Sequence, residues 1–416
     1  MSEDSGVHLE VASGRLRCLA LTSAAHFVND GTVFFVPLIA AVLAKRPGVS
    51  PLDLTAMFVA FYSTSAVLSI YVGSRADRTG RPGTLIGTGL ALLSLGLLGF
   101  YIAATYSEGP ILVVGIIGSA VLTGFGSAFY HPLGAAIIEA SFGEKAQGRA
   151  LGVNGAVGSL GRALYPSFFF VVALFITQSE SFGFFALVGL MASAILWMGF
   201  RPAAMAKAPE RTPGGDHQMA QAATKGIAVL TLVAFIRSVA SQGIVAWIPI
   251  FISTQKGVGV TGSLGLSLTL MYGAAIVGQP IFGLLADRFN KRLILGVGTV
   301  GIAASIFGYV STTGIAEQTF LILFGFFTFS GFPLLMSLVS DYVPRGSFSS
   351  GNALVWGLGV TGGAILGPLI VGAILLPDYS NMGFVFGLMA AGALVAAVGT
   401  VFLAKTQTKG KMPLFG

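Results

Sequence analysis

The sequence predicts an all-α membrane protein, with twelve transmembrane helices in two pseudo-symmetric six-helix bundles. Three observations lead there. Of the 416 residues, 54% are hydrophobic and only 9% charged, against roughly 25% charged in soluble domains. The apolar residues form continuous blocks long enough to cross a bilayer, which takes about 20 residues per helix. A loop between two such blocks, Gly73-Ser-Arg-Ala-Asp77-Arg78-Thr-Gly-Arg81, returns as Gly283-Leu-Leu-Ala-Asp287-Arg288-Phe-Asn-Lys291-Arg292 between two others.

The blocks, numbered here as spans 1 to 12, cover residues 19–44, 52–72, 84–106, 111–140, 150–176, 183–200, 226–253, 263–286, 293–312, 318–340, 352–376 and 383–404. Continuous rather than alternating hydrophobicity favours helices over a barrel. Span 1 is longer than a signal-peptide core and ends in Ala-Lys-Arg-Pro without a cleavage site, so it reads as a retained helix. The lone Cys18 excludes an intrachain disulfide. The net charge of +7 reads as an orientation signal rather than nucleic-acid binding. Of the 23 Lys and Arg residues, Lys45, Arg46 and Lys256 fall in one set of loops, Arg162 and Arg237 fall inside spans, and the remaining eighteen occupy the other loops and the tails. That bias places both termini in the cytoplasm of a multi-pass inner (plasma) membrane protein.

The connection 201–225 is rich in Pro, Gly and charge, which suits a solvated linker. It separates a six-helix bundle over 19–200 from a second over 226–404, with tails at 1–18 and 405–416. The halves also align elsewhere. Ser127-Ala-Phe-Tyr-His131-Pro132 in span 4 matches Thr328-Phe-Ser-Gly-Phe332-Pro333 in span 10, and spans 5 and 11 are both Gly-rich with Pro166 and Pro368. Two like-oriented repeats are the plan of one transporter class, with the substrate site near the midplane. Many of the 58 glycines suit close helix packing.

The Gly-x-x-x-Asp-Arg-x-Gly-Arg loop after span 2 and its copy after span 8 resemble the signature of the major facilitator superfamily. Within it, His26-Phe-Val-Asn29-Asp30 in span 1 and Gly124-Phe-Gly-Ser-Ala-Phe-Tyr-His131-Pro132 in span 4 resemble the fosmidomycin-resistance type of exporter. The chain departs from that type at Ser159-Leu-Gly161-Arg162, where a Pro is expected after Leu-Gly. The resemblance implies the major facilitator fold, with spans 3, 6, 9 and 12 on the lipid-facing periphery and spans 1, 4, 5 and 7 lining a cavity.

An ionisable group inside a membrane helix costs about 3 kcal/mol or more, which makes each one a functional candidate. The interiors of spans 3, 6, 9 and 12 hold none; Asp30, His131, Arg162 and Arg237 lie on spans 1, 4, 5 and 7. Asp30 lies about 16 Å into span 1 at 1.5 Å per residue, near the midplane. His26 precedes it by four residues on one helix face. A carboxylate tuned by burial and by cationic neighbours suits proton coupling, so Asp30, His26 and His131 are the expected proton-coupling groups. The alternative is a structural hydrogen-bond knot. A guanidinium cannot escape the membrane cost by deprotonating. Two buried arginines against one interior carboxylate leave room for an anionic substrate held bidentately. The expected substrate contacts are Arg162, Arg237, Asn29, Tyr130, Asn154, Gln242 and Gln279, with Trp247, Tyr165, Trp356 and Tyr272 read mainly as packing.

The loop charges Asp77, Arg78, Arg81, Glu139, Asp287, Arg288, Lys291, Asp341 and Arg345 are expected to gate, with Arg78 and Arg81 meeting Glu139 or Glu144 and Arg288 or Lys291 meeting Asp341. No enzyme is expected, and no Gly-x-x-x-x-Gly-Lys loop is present, so ATP is not the expected energy source. The four His lack metal-site spacing, so no metal and no cofactor are expected; the energy source would be the proton gradient. The reading is a secondary transporter working as a monomer, an antiporter for efflux of a small organic anion or drug-like compound by rocker-switch alternating access. Uptake of a small carboxylate by proton symport is the first alternative. A non-transporting membrane sensor or scaffold is the second.

Overall fold

The computed structural model describes residues 3–79, 81–142, 144–200, 225–343, 348–376 and 378–404. The first half contains α1 (Glu3–Val33), α2 (Val36–Leu43), α3 (Pro51–Thr79), α4 (Pro82–Tyr106), α5 (Gly109–Ser127), α6 (Tyr130–Ser141), α7 (Glu144–Val172) and α8 (Gln178–Phe200). The second contains α9 (Lys225–Gln255), α10 (Gly262–Arg288), α11 (Lys291–Ser311), α12 (Gly314–Tyr342), α13 (Phe348–Ala353), α14 (Gly362–Ile374) and α15 (Met382–Gly399). A π-helical stretch, Leu354–Thr361, joins α13 to α14. Twelve helical stretches among the described residues are long and apolar enough to span a membrane, at the twelve places the sequence predicts. One boundary differs. The helix of span 1 begins at Glu3, so most of the expected tail at 1–18 is helical; a helix need not end where its apolar stripe ends.

Two spans are broken, and proline accounts for both breaks. Span 1 is interrupted by a turn between α1 and α2, and span 4 by a turn between α5 and α6. Proline lacks an N–H, and its ring collides with the carbonyl four residues earlier. Pro37 directs that conflict to Val33, the last residue of α1, and Pro132 directs it to Ala128. Within the turns the ladder tightens to three-residue bonds, Phe35 N to Thr32 O at 3.1 Å and Ala128 N to Phe125 O at 3.3 Å.

The helices gather into two compact units. The first comprises Met1–Val36, Arg46–Val49 and Ala60–Arg211, the second Pro37–Lys45, Ser50–Val59 and Thr212–Gly416. The division in the linker falls between Arg211 and Thr212, but residues 37–45 and 50–59, expected in the first bundle, group with the second unit. In the first unit α1 packs on α7, and α4 packs on α5 and α8. In the second, α9 packs on α14, and α11 packs on α12 and α15. In span numbers, the pairs 1·5, 3·4 and 3·6 recur as 7·11, 9·10 and 9·12, so the duplication extends to tertiary packing.

Glycine sets the closest approaches in both units. A Cβ on Gly161 of α7 would overlap the Phe27 carbonyl of α1, and one on Gly158 would strike the His26 ring. In the second unit, a Cβ on Gly363 or Gly367 of α14 would meet the carbonyls of Phe235 or Val239 on α9. Small residues at these positions let the backbones touch, which is how membrane helices gain packing without a hydrophobic drive. Each unit has its own apolar core. The first is built around Ala25, Leu90, Phe129, Leu133 and Phe200, the second around Leu230, Phe282, Leu334 and Leu338.

Candidate functional site

The first unit brings His26, Asp30 and His131 to one point. Their positions on α1 put His26 and Asp30 on one face, and the break before Tyr130 starts α6 with His131 facing them. Asp30 Oδ1 lies 3.4 Å from His26 Nε2 and 3.5 Å from His131 Nε2. The side chains of Asp30 and His26 are 8% and 13% exposed, whereas that of His131 is 54% exposed, making it the accessible member.

A buried frame orients this cluster. His26 Nδ1 lies 2.9 Å from both the backbone carbonyl and the side-chain Oδ1 of Asn154 on α7. Both partners are acceptors, so Nδ1 carries the hydrogen and donates. Tyr130 donates to Asn154 Oδ1 at 2.9 Å and lies 3.0 Å from the Thr22 carbonyl. Its ring stacks on His26 with centroids 4.6 Å apart. Asn29 donates to Asp30 Oδ1 at 3.2 Å. Tyr130, Asn154 and Asn29, predicted as substrate contacts, are all buried and sit in this frame as orienting groups.

Arg162 is buried on α7, donates from Nη2 to Ser159 Oγ at 2.9 Å, and lies over the Phe34 ring at 4.7 Å. Arg237 belongs to the second unit. It is buried on α9, and its Nη2 donates to the carbonyls of Phe327 and Thr328 on α12 at 3.0 and 2.9 Å. That is the carbonyl-held geometry of a brace between helices. Gln242 and Gln279 are half-buried, with Gln279 Nε2 3.4 Å from the Phe329 carbonyl. Trp247 is fully buried and donates to the Pro368 carbonyl at 3.1 Å, as packing requires. Tyr272 and Tyr165 are likewise buried, while Trp356 is 36% exposed.

Of the predicted gating charges, Lys291 Nζ pairs with Asp341 Oδ2 at 2.7 Å. Both residues belong to the second unit, so the pair braces the start of α11 against the end of α12. Arg288 sits exposed in the last turn of α10, and Arg81 is exposed just before α4. The side chains of Asp77, Arg78, Glu139, Glu144, Asp287 and Arg345 lie outside the described residues.

Linear spacing did not reveal one property of the cluster. No metal was expected because the four histidines lack metal-site spacing. The fold supplies the third group from a second helix, and His26, Asp30 and His131 offer ligand atoms that all lie within 4.8 Å of one another. Sequence reading also passed over Thr22, Ser159 and Phe34, which hold Tyr130 and Arg162. Ser159 precedes Arg162 by three residues, the one signal that could have exposed it.

Twelve apolar helices in two repeat-related units, with a polar cluster inside the helices of one, define a multi-pass membrane transporter rather than an enzyme. The model of the Major Facilitator Superfamily matches residues 19–355 and 230–414, and the chain belongs to that family. It is 24% identical over 388 residues to the MFS-type transporter YfnC of Bacillus subtilis, covering 89% of this chain and 91% of that one. It is 30% identical over 166 residues to the enterobactin exporter EntS of Shigella flexneri, covering 38% of this chain and 39% of the exporter. A bacterial homolog of the human lysosomal transporter Spinster, solved in an inward-facing and unoccupied conformation, superposes with a TM-score of 0.70 at 14% identity, over 94% of this chain and 95% of that one.

Proposed function

We propose that the protein is a proton-coupled exporter of a small organic anion, residing in an inner membrane with both termini cytoplasmic. The observation that carries this reading is the cluster of Asp30, His26 and His131, one carboxylate oxygen facing two imidazole nitrogens inside membrane-spanning helices. A buried ionisable group of that kind is a functional candidate, because an apolar side chain would sit there at lower cost. One proton arriving at His131, the exposed member, can pass to Asp30 and alter the charge that Arg162 experiences. Arg162 then binds or releases the anion, by the charge-assisted hydrogen bonding a guanidinium makes with carboxylate or phosphonate. Arg237, already held on two carbonyls, is assigned a bracing role.

Export is favoured over uptake by the likeness to EntS over part of the chain and by the resemblance of spans 1 and 4 to fosmidomycin-resistance exporters. The excess of Lys and Arg in one set of loops supports the orientation. Alternating access between the two repeats would supply the transport cycle, driven by the proton gradient with no further cofactor.

The test is proton movement in liposomes containing the purified protein, on addition of a phosphonate, a set of small carboxylates, or cationic dyes. The reading expects flux with an anion and a raised KM in Arg162→Ala. Flux with cations alone would recast Asp30 as the counter-charge of the substrate and remove the anion from the account.

A further inference from the structure

We propose that His26, Asp30 and His131 form a binding site for a divalent transition-metal ion, of the Zn2+ and Co2+ kind. The inference rests on geometry and goes beyond the proton-coupling reading.

Three features carry it. The first is spacing. Donor atoms about 2.0–2.2 Å from a tetrahedral zinc ion lie about 3.3–3.6 Å from one another. The two edges that meet at Asp30 Oδ1 measure 3.4 and 3.5 Å, and all three donor atoms lie within 4.8 Å. The remaining edge, between the two imidazoles, closes by a small rotation of the half-exposed His131 ring.

The second feature is the outer frame. A metal-binding histidine almost always donates its other ring N–H to a carbonyl or carboxylate, which turns the bare nitrogen toward the metal. His26 is held in that way, with Nδ1–H given to Asn154 at 2.9 Å and Nε2 left facing Asp30. Asn29 orients the carboxylate through its bond to Oδ1. A bare imidazole nitrogen opposite a carboxylate oxygen brings two electron-rich atoms together. A cation between them, whether proton or metal, resolves that contact.

The third is ligand type and access. Two imidazoles and one carboxylate suit Zn2+, Co2+, Ni2+ or Cu2+. They do not suit Mg2+ or Ca2+, which require mostly oxygen ligands. Three protein ligands leave a fourth position for water, as in open zinc sites. His131, at 54% exposure, provides the route in. The bound ion would occupy the place of the transported proton, so transport would stop while it is there.

Co2+ titration of the tag-free, full-length protein in detergent tests the site by visible absorption, independently of any transport. The expected result is one equivalent of Co2+ with the intense bands of four-coordinate cobalt, displaced by Zn2+. The bands disappear in His131→Ala and persist in His217→Ala, which removes a histidine of the linker. Asn154→Leu, which unlocks His26, weakens binding about 10- to 100-fold. Melting temperatures measured alongside confirm that each variant is folded. No cobalt spectrum in the wild type, or one unchanged in both His131→Ala and Asp30→Asn, would overturn the proposal. Either result leaves proton coupling to be judged by liposome flux.

Discussion

Span 4 of the first unit breaks before Tyr130 and brings His131 to within 3.5 Å of Asp30. Its repeat, span 10, runs unbroken as α12 from Gly314 to Tyr342 and carries Phe332 at the aligned position. Span 5 is α-helical through the Gly-rich stretch that places Asn154 and Arg162, whereas its repeat in span 11 contains the π-helical segment Leu354–Thr361. The one buried arginine of the second unit's α9 rests on backbone carbonyls. The duplication has therefore kept the helix pairing and let the chemistry diverge. On the proposed reading the first unit handles the proton and the anion, and the second supplies the moving counterpart.

Replacing the two arginines separately probes that asymmetry most strongly. Arg162→Ala should raise the KM for an anionic substrate about 10- to 100-fold, the equivalent of losing a hydrogen bond to a charged group worth roughly 1.5–3 kcal/mol. Arg237→Ala should leave KM nearly unchanged and lower the melting temperature, since two carbonyls lose their donor at about 1–3 kcal/mol. Equal KM effects would erase the distinction between the units.

The glycines offer a finer comparison. Gly158→Ala pushes a methyl group into the His26 ring and should cost about 1–3 kcal/mol while also reducing gradient-driven transport. Gly363→Ala, at the equivalent helix contact of the second unit, should cost a similar amount in melting stability. Normalised for folded protein, its transport should be unaffected. The smallest change is expected at Lys291→Ala. Its partner Asp341 is partly exposed and the pair joins helices of one unit, so the loss should be no more than about 1 kcal/mol.

Span number, repeat and family were legible in the sequence because they rest on the length of apolar runs and on a repeated loop. The pairing of His26 with Asp30 was legible too, as helical periodicity alone places residues four apart on one face. The approach of His131 was not, since it depends on how α6 packs against α1. Proline gave an incomplete warning. Pro37 and Pro132 follow breaks, yet Pro166, Pro249, Pro280 and Pro368 sit inside unbroken helices. The mutual contacts of Tyr130, Asn154 and His26 were hidden for a related reason. Polar side chains in a membrane helix invite a substrate reading, and only the fold shows Tyr130 and His26 both hydrogen-bonded to Asn154.

The account stands most directly on Asp30→Asn in liposomes, comparing accumulation driven by a pH gradient with exchange of substrate at equal pH. Loss of gradient-driven accumulation with exchange preserved is the predicted result, since the variant could still bind and reorient but could not couple to the proton. Full accumulation in Asp30→Asn would contradict it and leave the cluster a structural knot.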